Sequence, residues 1–370
     1  MAILDWFTRK VGSPKPRIGE TIAFDIVQDG NEIAARGDGI EVNFAVEGID
    51  LPPKADANFA VWGLLPLAME EGFNLHINRP IDPLVAANAE RVSEIWETWV
   101  PNRYRSIKVS GEGGWSRGPS KRQNRVQLFS GGIDSTYSVW KNRDGGYVAT
   151  VCGVDKTDES NIDQLIAKTD PLIEALNYRR IVIRTNAQRE PSAITHAFTL
   201  AGSLFLLSDL FEEGTLAADS TYAEDMATFP WGTNHVTNEY LAGSDFSVRT
   251  IGADVARTDK ITAIMGAGLD PRTLSFCRKR GVMPDNCGTC RKCIRTKAMF
   301  LVSTGSIPEI FADNSFTETL AKEMAKNFSE RVHLFDIYHC ARNRGVLDKI
   351  PTLAALVEQC RAQGGEEADH

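Results

Sequence analysis

Residues 18 to 50 alternate apolar and polar positions, as in Ile22-Ala23-Phe24-Asp25-Ile26-Val27, and carry the turn pairs Asp29-Gly30 and Asp38-Gly39. A period of two broken by Asp-Gly predicts two or three antiparallel strands. The spacing then changes. Ala57 to Glu71 and Asp82 to Thr98 place apolar residues three and four apart, which predicts helices, with Trp62, Trp96 and Trp99 packed in their core. The stretch Gly111 to Asn124, rich in Gly, Ser, Lys and Arg, reads as a linker. From Arg125 strands and helices alternate, the pattern of a parallel α/β sheet. Strands are predicted at Val126–Phe129, Tyr147–Val154, Arg180–Arg184 and Thr215–Ala218, with helices over Asp163 to Asn177 and about Ser192 to Phe211. The chain thus divides into an α+β domain at 1–115, a linker at 116–124, a strand–helix domain at 125–305 and a helical segment at 306–370. No internal repeat or low-complexity tract interrupts it.

Composition narrows the setting. A chain of 370 residues that is 42% apolar suffices for a full core, and its length fits two domains or one domain with an extension. A net charge of −8 gives no global attraction for polyanions and disfavours a nucleic-acid partner. Seven cysteines, an odd number with four clustered, suit a reducing compartment and not a disulfide framework. The start is charged too soon for a signal peptide, and no apolar run reaches the roughly 18 residues of a membrane span. The expectation is a cytoplasmic protein with no membrane contact.

The chemistry begins at Phe129-Ser130-Gly131-Gly132-Ile133-Asp134-Ser135-Thr136, directly behind the apolar run Val126-Gln127-Leu128. A strand that breaks into Ser-Gly-Gly-x-Asp-Ser and restarts as a helix makes a phosphate cradle. Gly131 and Gly132 can turn consecutive amides toward one anion, and the helix start adds its free N–H groups and positive dipole end. Ser130, Ser135 and Thr136 add hydroxyl donors. The absence of a Gly-Lys-Ser/Thr ending excludes a Walker A loop.

About 150 residues on lie Cys277, Cys287, Cys290 and Cys293, with Cys-Gly-Thr-Cys-Arg-Lys-Cys at the centre. Four thiolates close a tetrahedral zinc site with no vacant position, which makes the metal structural, and Gly288 permits the tight knuckle between ligands. Arg278, Lys279, Arg280, Arg291, Lys292 and Arg295 crowd the array and favour thiolates.

The loop resembles the signature of the PP-loop ATP pyrophosphatases. Together with the four-cysteine array, in this order and separation, it looks like the QueC-like (7-cyano-7-deazaguanine synthase) family over roughly residues 125 to 300. The resemblance implies a Rossmann-like sheet of the HUP type, ATP with magnesium, a structural zinc and adenylation of the carboxylate of 7-carboxy-7-deazaguanine. It does not obviously cover the first 120 or the last 60 residues. In this, and in Pro230-Trp231-Gly232-Thr233-Asn234-His235, the chain is similar to the longer branch encoded in bacterial antiphage operons. That branch implies a protein N-terminal amine as acceptor, encoded in the same operon. Ammonia, which would lead to a nitrile, remains open, and so does a homodimer.

Residue roles follow in part from this. Phe129, Ser130, Gly131, Gly132, Asp134, Ser135 and Thr136 are the candidates for ATP contact. Val154 and Asp155 fall where the superfamily's adenine and ribose commonly rest. Asp134 is an acid inside a phosphate loop and needs magnesium or a lysine to offset it; it is assigned to the metal. Arg257 and Lys260, one turn apart at a helix start and without evident carboxylate partners, are catalytic candidates that can neutralise developing charge. Ser220, Tyr222, Trp231 and His235 are candidates for the deazaguanine, the aromatic rings by stacking and His235 as a base toward the amine. His196, between apolar neighbours, reads as core. Two other classes stand beside the ligase: a tRNA-modifying PP-loop ligase, which the acidic charge disfavours, and a non-catalytic nucleotide sensor, which the intact loop disfavours.

Overall fold

The computed structural model describes residues 16–118, 122–143, 146–154, 157–188, 194–277, 279, 281–316 and 328–364. Their centre is one mixed sheet of ten strands. Its first strands are β1 (Thr21–Asp29), β2 (Glu32–Gly37), β3 (Ile40–Glu47), β4 (Asn74–Ile77) and β5 (Val109–Gly111). The second set is β6 (Gln123–Leu128), β7 (Gly146–Cys152), β8 (Tyr178–Thr185), β9 (Phe211–Ala217) and β10 (Ser247–Ile251). The order across the sheet is β10-β9-β6-β7-β8-β3-β2-β1-β4-β5.

The five strands from β10 to β8 are mutually parallel, in the doubly wound order 3-2-1-4-5 when counted from β6. In such a sheet the chain leaves β6 toward one side and reaches β9 on the other. The crevice beyond the carboxyl ends of these two strands is the expected place for a ligand. The alternating stretch near the N-terminus does form three antiparallel strands, but they extend this same sheet: β3 pairs with β8 in antiparallel register, Phe44 opposite Thr185.

Eleven helices complete the described chain. α1 (Asn58–Glu71) is buried on almost every side, as expected for a helix apolar all round. It crosses α5 (His196–Phe205) closely enough that a Cβ on Gly202 would stand 2.9 Å from the Gly63 nitrogen. α2 (Pro83–Trp99) starts on an Asp82 cap. One apolar cluster runs from Ile22 to Val248 and joins the N-terminal strands, α1, α2, α5 and the parallel strands. Buried polar links fasten the same parts: Lys54 to Asp209 at 2.8 Å and Asp82 to the Ser244 hydroxyl at 2.8 Å. The stretch read as a linker is tied as well, since Arg122 donates to the Ser208 and Asp245 carbonyls and Gln123 already begins β6.

A second cluster collects α3 (Ile133–Lys141), α8 (Arg257–Gly266), α9 (Arg291–Thr304), α10 (Phe328–Asn343) and α11 (Pro351–Gly364), with the cysteines at its edge. The remaining helices are α4 (Ile162–Ala175), α6 (Tyr222–Thr228) and α7 (His235–Asn238). Among the described residues no helix is long and apolar enough to cross a membrane.

Three sequence expectations need correction. The helix read to Phe211 stops at Phe205, because Asp209 turns in to meet Lys54 and Phe211 opens β9. The strand read to Val154 ends at Cys152, where Gly153 takes φ +98° and lies so close to β8 that a Cβ would strike the Thr185 carbonyl. β4 and β10 are too short to show a period, and neither was predicted.

Candidate functional site

At the carboxyl end of β6 the chain passes Phe129 and Ser130 and enters α3 through Gly131 and Gly132. Gly131 has φ +72°, a conformation that favours glycine, and its carbonyl accepts from the Ser275 amide at 2.8 Å. Gly132 stands in extended backbone at the helix start, where no side chain caps the first turn. The first N–H groups of α3 are therefore left for a ligand, the arrangement that binds anions. The Ser130 and Ser135 hydroxyls lie 3.2 Å apart, and Ser135 also donates to the Gly132 carbonyl. Thr136 points into the core instead, 1% exposed.

Asp134 faces the start of α8. Arg257 reaches its carboxylate with Nε and Nη2, the closest contact 2.7 Å, and Lys260 Nζ reaches Oδ1 at 3.1 Å. This overturns one expectation: Arg257 and Lys260 do have a carboxylate partner. Asp134 is offset by a lysine, one of the two expected ways, and also by an arginine, with both of its oxygens engaged. Burial pushes the Asp134 carboxyl up, but the two cations outweigh it and hold it at about 2. The same cations reach back to the end of β9, Arg257 to the Asp219 carbonyl at 2.6 Å and Lys260 to the Ala218 carbonyl at 2.8 Å. The triad thus ties β9, α3 and α8 into one corner.

α8 has no side-chain cap of its own; Asp336 on α10 supplies one, accepting from the Thr258 amide at 3.2 Å and its hydroxyl at 2.6 Å. Burial raises the Asp336 carboxyl to about 6, with Thr258 pulling the other way and Glu224 adding to the rise. The folded form therefore holds a proton between pH 4 and 6 that the unfolded chain has released, so stability falls as pH rises through that window. Asp336→Asn should flatten this slope and gain on the wild type from pH 4.5 to pH 7, as measured by urea unfolding. An unchanged difference across the range would show that Asp336 does not titrate there.

Around this corner lies a cavity of about 580 Å³, within the usual range of about 300–1,000 Å³ for small-molecule sites. Of the sequence candidates, Phe129, Ser130, Gly132, Asp134, Ser135, Val154, Ser220, Trp231 and Arg257 line it, as do Cys277 and Cys290. Lys260 lies behind Asp134 and is 1% exposed. Tyr222 and His235 stand outside the cavity. Tyr222 is 55% exposed on α6 with its ring edge against His235, whose Nδ1 lies 3.2 Å from Asp225. Asp155 lies outside the described residues.

Several lining residues escaped the sequence reading. Asp219 accepts from the Trp231 indole at 2.9 Å and the Thr233 hydroxyl at 2.7 Å, which folds the 231–233 loop over the cavity. Burial raises its carboxyl, but nearby His196, the Trp231 hydrogen bond and Arg257 bring it below the ordinary value. It sits directly after the last strand read before that loop, one residue short of Ser220, and strand-end position was the signal for it. His196 is not core: it lines the cavity, its ring edge-on to Trp231 at 5.4 Å. Arg295 on α9 and His333 on α10 line the cavity too, and α10 carries no motif.

Two of the four clustered cysteines, Cys277 and Cys290, border this cavity. The four Sγ atoms lie within 4.8 Å of one another, with Cys277 to Cys290 at 4.0 Å and Cys287 to Cys293 at 3.8 Å. A tetrahedron of sulfurs about 2.3 Å from zinc has edges of roughly 3.8 Å, so the cluster fits that ion. Backbone amides of Lys279, Cys290 and Cys293 donate to Sγ of Cys277, Cys287 and Cys290. Gly288 takes φ +79° with the Asp313 carbonyl against it. The buried Lys297 ammonium, donating to the Gly288, Asp313 and Ser315 carbonyls, places a positive charge under the thiolates. The sequence reading omitted it.

No family model matches the chain, and no curated protein does. A solved structure described as a type III CRISPR defence DNA nuclease activated by cyclic oligoadenylate aligns with 62% of this chain and 41% of its own length. At 12% identity and a TM-score of 0.21, that likeness carries no argument about fold or activity.

Proposed function

We propose that the chain is an ATP-dependent ligase in which the Ser130–Thr136 segment is a PP-loop. In this reading ATP lays its phosphates on the loop and the first turn of α3. A substrate carboxylate attacks the α-phosphorus, pyrophosphate leaves, and the acyl adenylate passes its acyl group to an amine. The observation that carries the reading is the uncapped start of α3 at the β6/β9 switch point, beside an arginine aimed by Asp134. The helix-start amides, Arg257 and Arg295 offer donors to one cavity, where charge builds during the transfer. Val151 and Val154 at the end of β7 offer an apolar wall for a base. Zinc on the cysteines would be structural, stapling the start of α9, which carries Arg295.

The substrate rests on the QueC-like resemblance, and so does the acceptor: 7-carboxy-7-deazaguanine joined to the terminal amine of a partner protein. Trp231, held by Asp219, offers one of the cavity's aromatic surfaces for the flat heterocycle. The test is to incubate the protein with ATP, magnesium and 7-carboxy-7-deazaguanine, with ammonium or candidate partner proteins, and to weigh the products. Substrate-dependent AMP release and a partner gaining mass are expected. No deazaguanine-dependent AMP would refute the ligase, and a free nitrile with no protein adduct would make ammonia the acceptor.

A further inference from the structure

Three histidines stand at or near the cavity, and two are engaged. His235 is held by Asp225 outside the cavity, and His196 packs against the 231–233 loop beside Asp219. His333 differs. It comes from α10, lines the cavity and is 9% exposed, yet neither ring nitrogen has a hydrogen-bond partner among the described residues. Nδ1 is closed off from solvent, which leaves Nε2 as the nitrogen that a ligand reaches. A buried imidazole without a partner is unfavourable unless a bound molecule completes it.

We infer that His333 is the general base of acyl transfer, taking the proton that the attacking amine sheds. This rests on the adenylation reading above. The amine nitrogen attacks the acyl carbon, the new C–N bond forms, and the C–O bond to the phosphate breaks. AMP leaves with that electron pair, and the proton passes to Nε2. The surroundings keep the ring free to accept a proton, at a cost in base strength. Burial, then Arg295, Arg257 and Lys292, keep the imidazole well below its ordinary pKa, so it stands unprotonated at neutral pH. Arg295 and Thr296 on α9, which packs against α10, also line the cavity. First-half chemistry, which moves no proton, then has no need of His333.

The two half-reactions separate the outcomes. The probes are ATP, magnesium and 7-carboxy-7-deazaguanine with labelled pyrophosphate, with hydroxylamine, or with ammonium and triglycine. Hydroxylamine is unprotonated at neutral pH and traps an adenylate without a base. His333→Gln, close in shape, and His333→Ala should keep pyrophosphate exchange and hydroxamate formation within about threefold, while transfer to ammonium or triglycine falls by about 10²-fold or more. Thermal unfolding identifies any variant that has lost its fold, and His333→Gln then stands as the measurement. Unchanged transfer would overturn the assignment, and so would a parallel fall of exchange and transfer. Absence of exchange in the wild type would overturn the ligase reading, and this inference with it.

Discussion

Asp134→Ala is expected to lose stability and activity together. Asp134 is the shared anion of Arg257 and Lys260, whose side chains are 11% and 1% exposed. Removing it leaves two cations with little water and without their bonded carboxylate, and breaking a buried pair in this way typically costs about 3–5 kcal/mol. α8 would then relax away from β9, since Arg257 and Lys260 also hold the Asp219 and Ala218 carbonyls. Where the fold survives, turnover should fall by about 10²-fold or more, because Arg257 loses the group that aims it. Asp134→Asn keeps the oxygen and the shape but not the charge, and should fall between. The wild type carries a matching acid signature. The folded carboxyl sits at about 2, below its ordinary 3.8. Its contribution is thus complete above about pH 4 and is lost as pH falls toward 2. Urea midpoints of the variants together with AMP release check both parts. Normal stability and turnover in the alanine variant would remove the triad from the account.

The second large effect concerns the metal. Elemental analysis should give about one zinc per chain, because four thiolates at tetrahedral spacing form one closed site. Stripping it with a chelator, or replacing Cys290 by serine, should destabilise the wall carrying Arg295. Cys290 Sγ belongs to the four-sulfur cluster and also caps α9, accepting from the Cys293 amide. The loss should stay well below the about 10–16 kcal/mol that zinc supplies to isolated finger peptides. Here α8, α9, α10 and α11 keep an apolar core of their own. A metal-free wild type with unchanged melting would refute the assignment.

Local patterns determined much of this protein. The Ser-Gly-Gly-x-Asp-Ser turn, the cysteine spacing and the strand–helix alternation after Arg125 are legible because each is set by neighbours in the chain. Glycine can take positive φ where a turn needs it, thiolates on a knuckle lie close in sequence, and periodicity reports one buried face. Those features placed the glycine turn before α3 and the four-cysteine cluster. What they could not determine was any relation between distant segments. β3 joins β8 across more than 130 residues, so the apparent N-terminal domain became part of one sheet and one core. The partner of Asp134 came from 123 residues away, its helix was capped by Asp336 a further 78 on, and the cavity was closed by His333 from a helix with no motif. Pairing of buried charges and completion of a cavity depend on which side chains the finished fold leaves without water. That is decided only when the helices of the second core pack over the carboxyl end of the sheet.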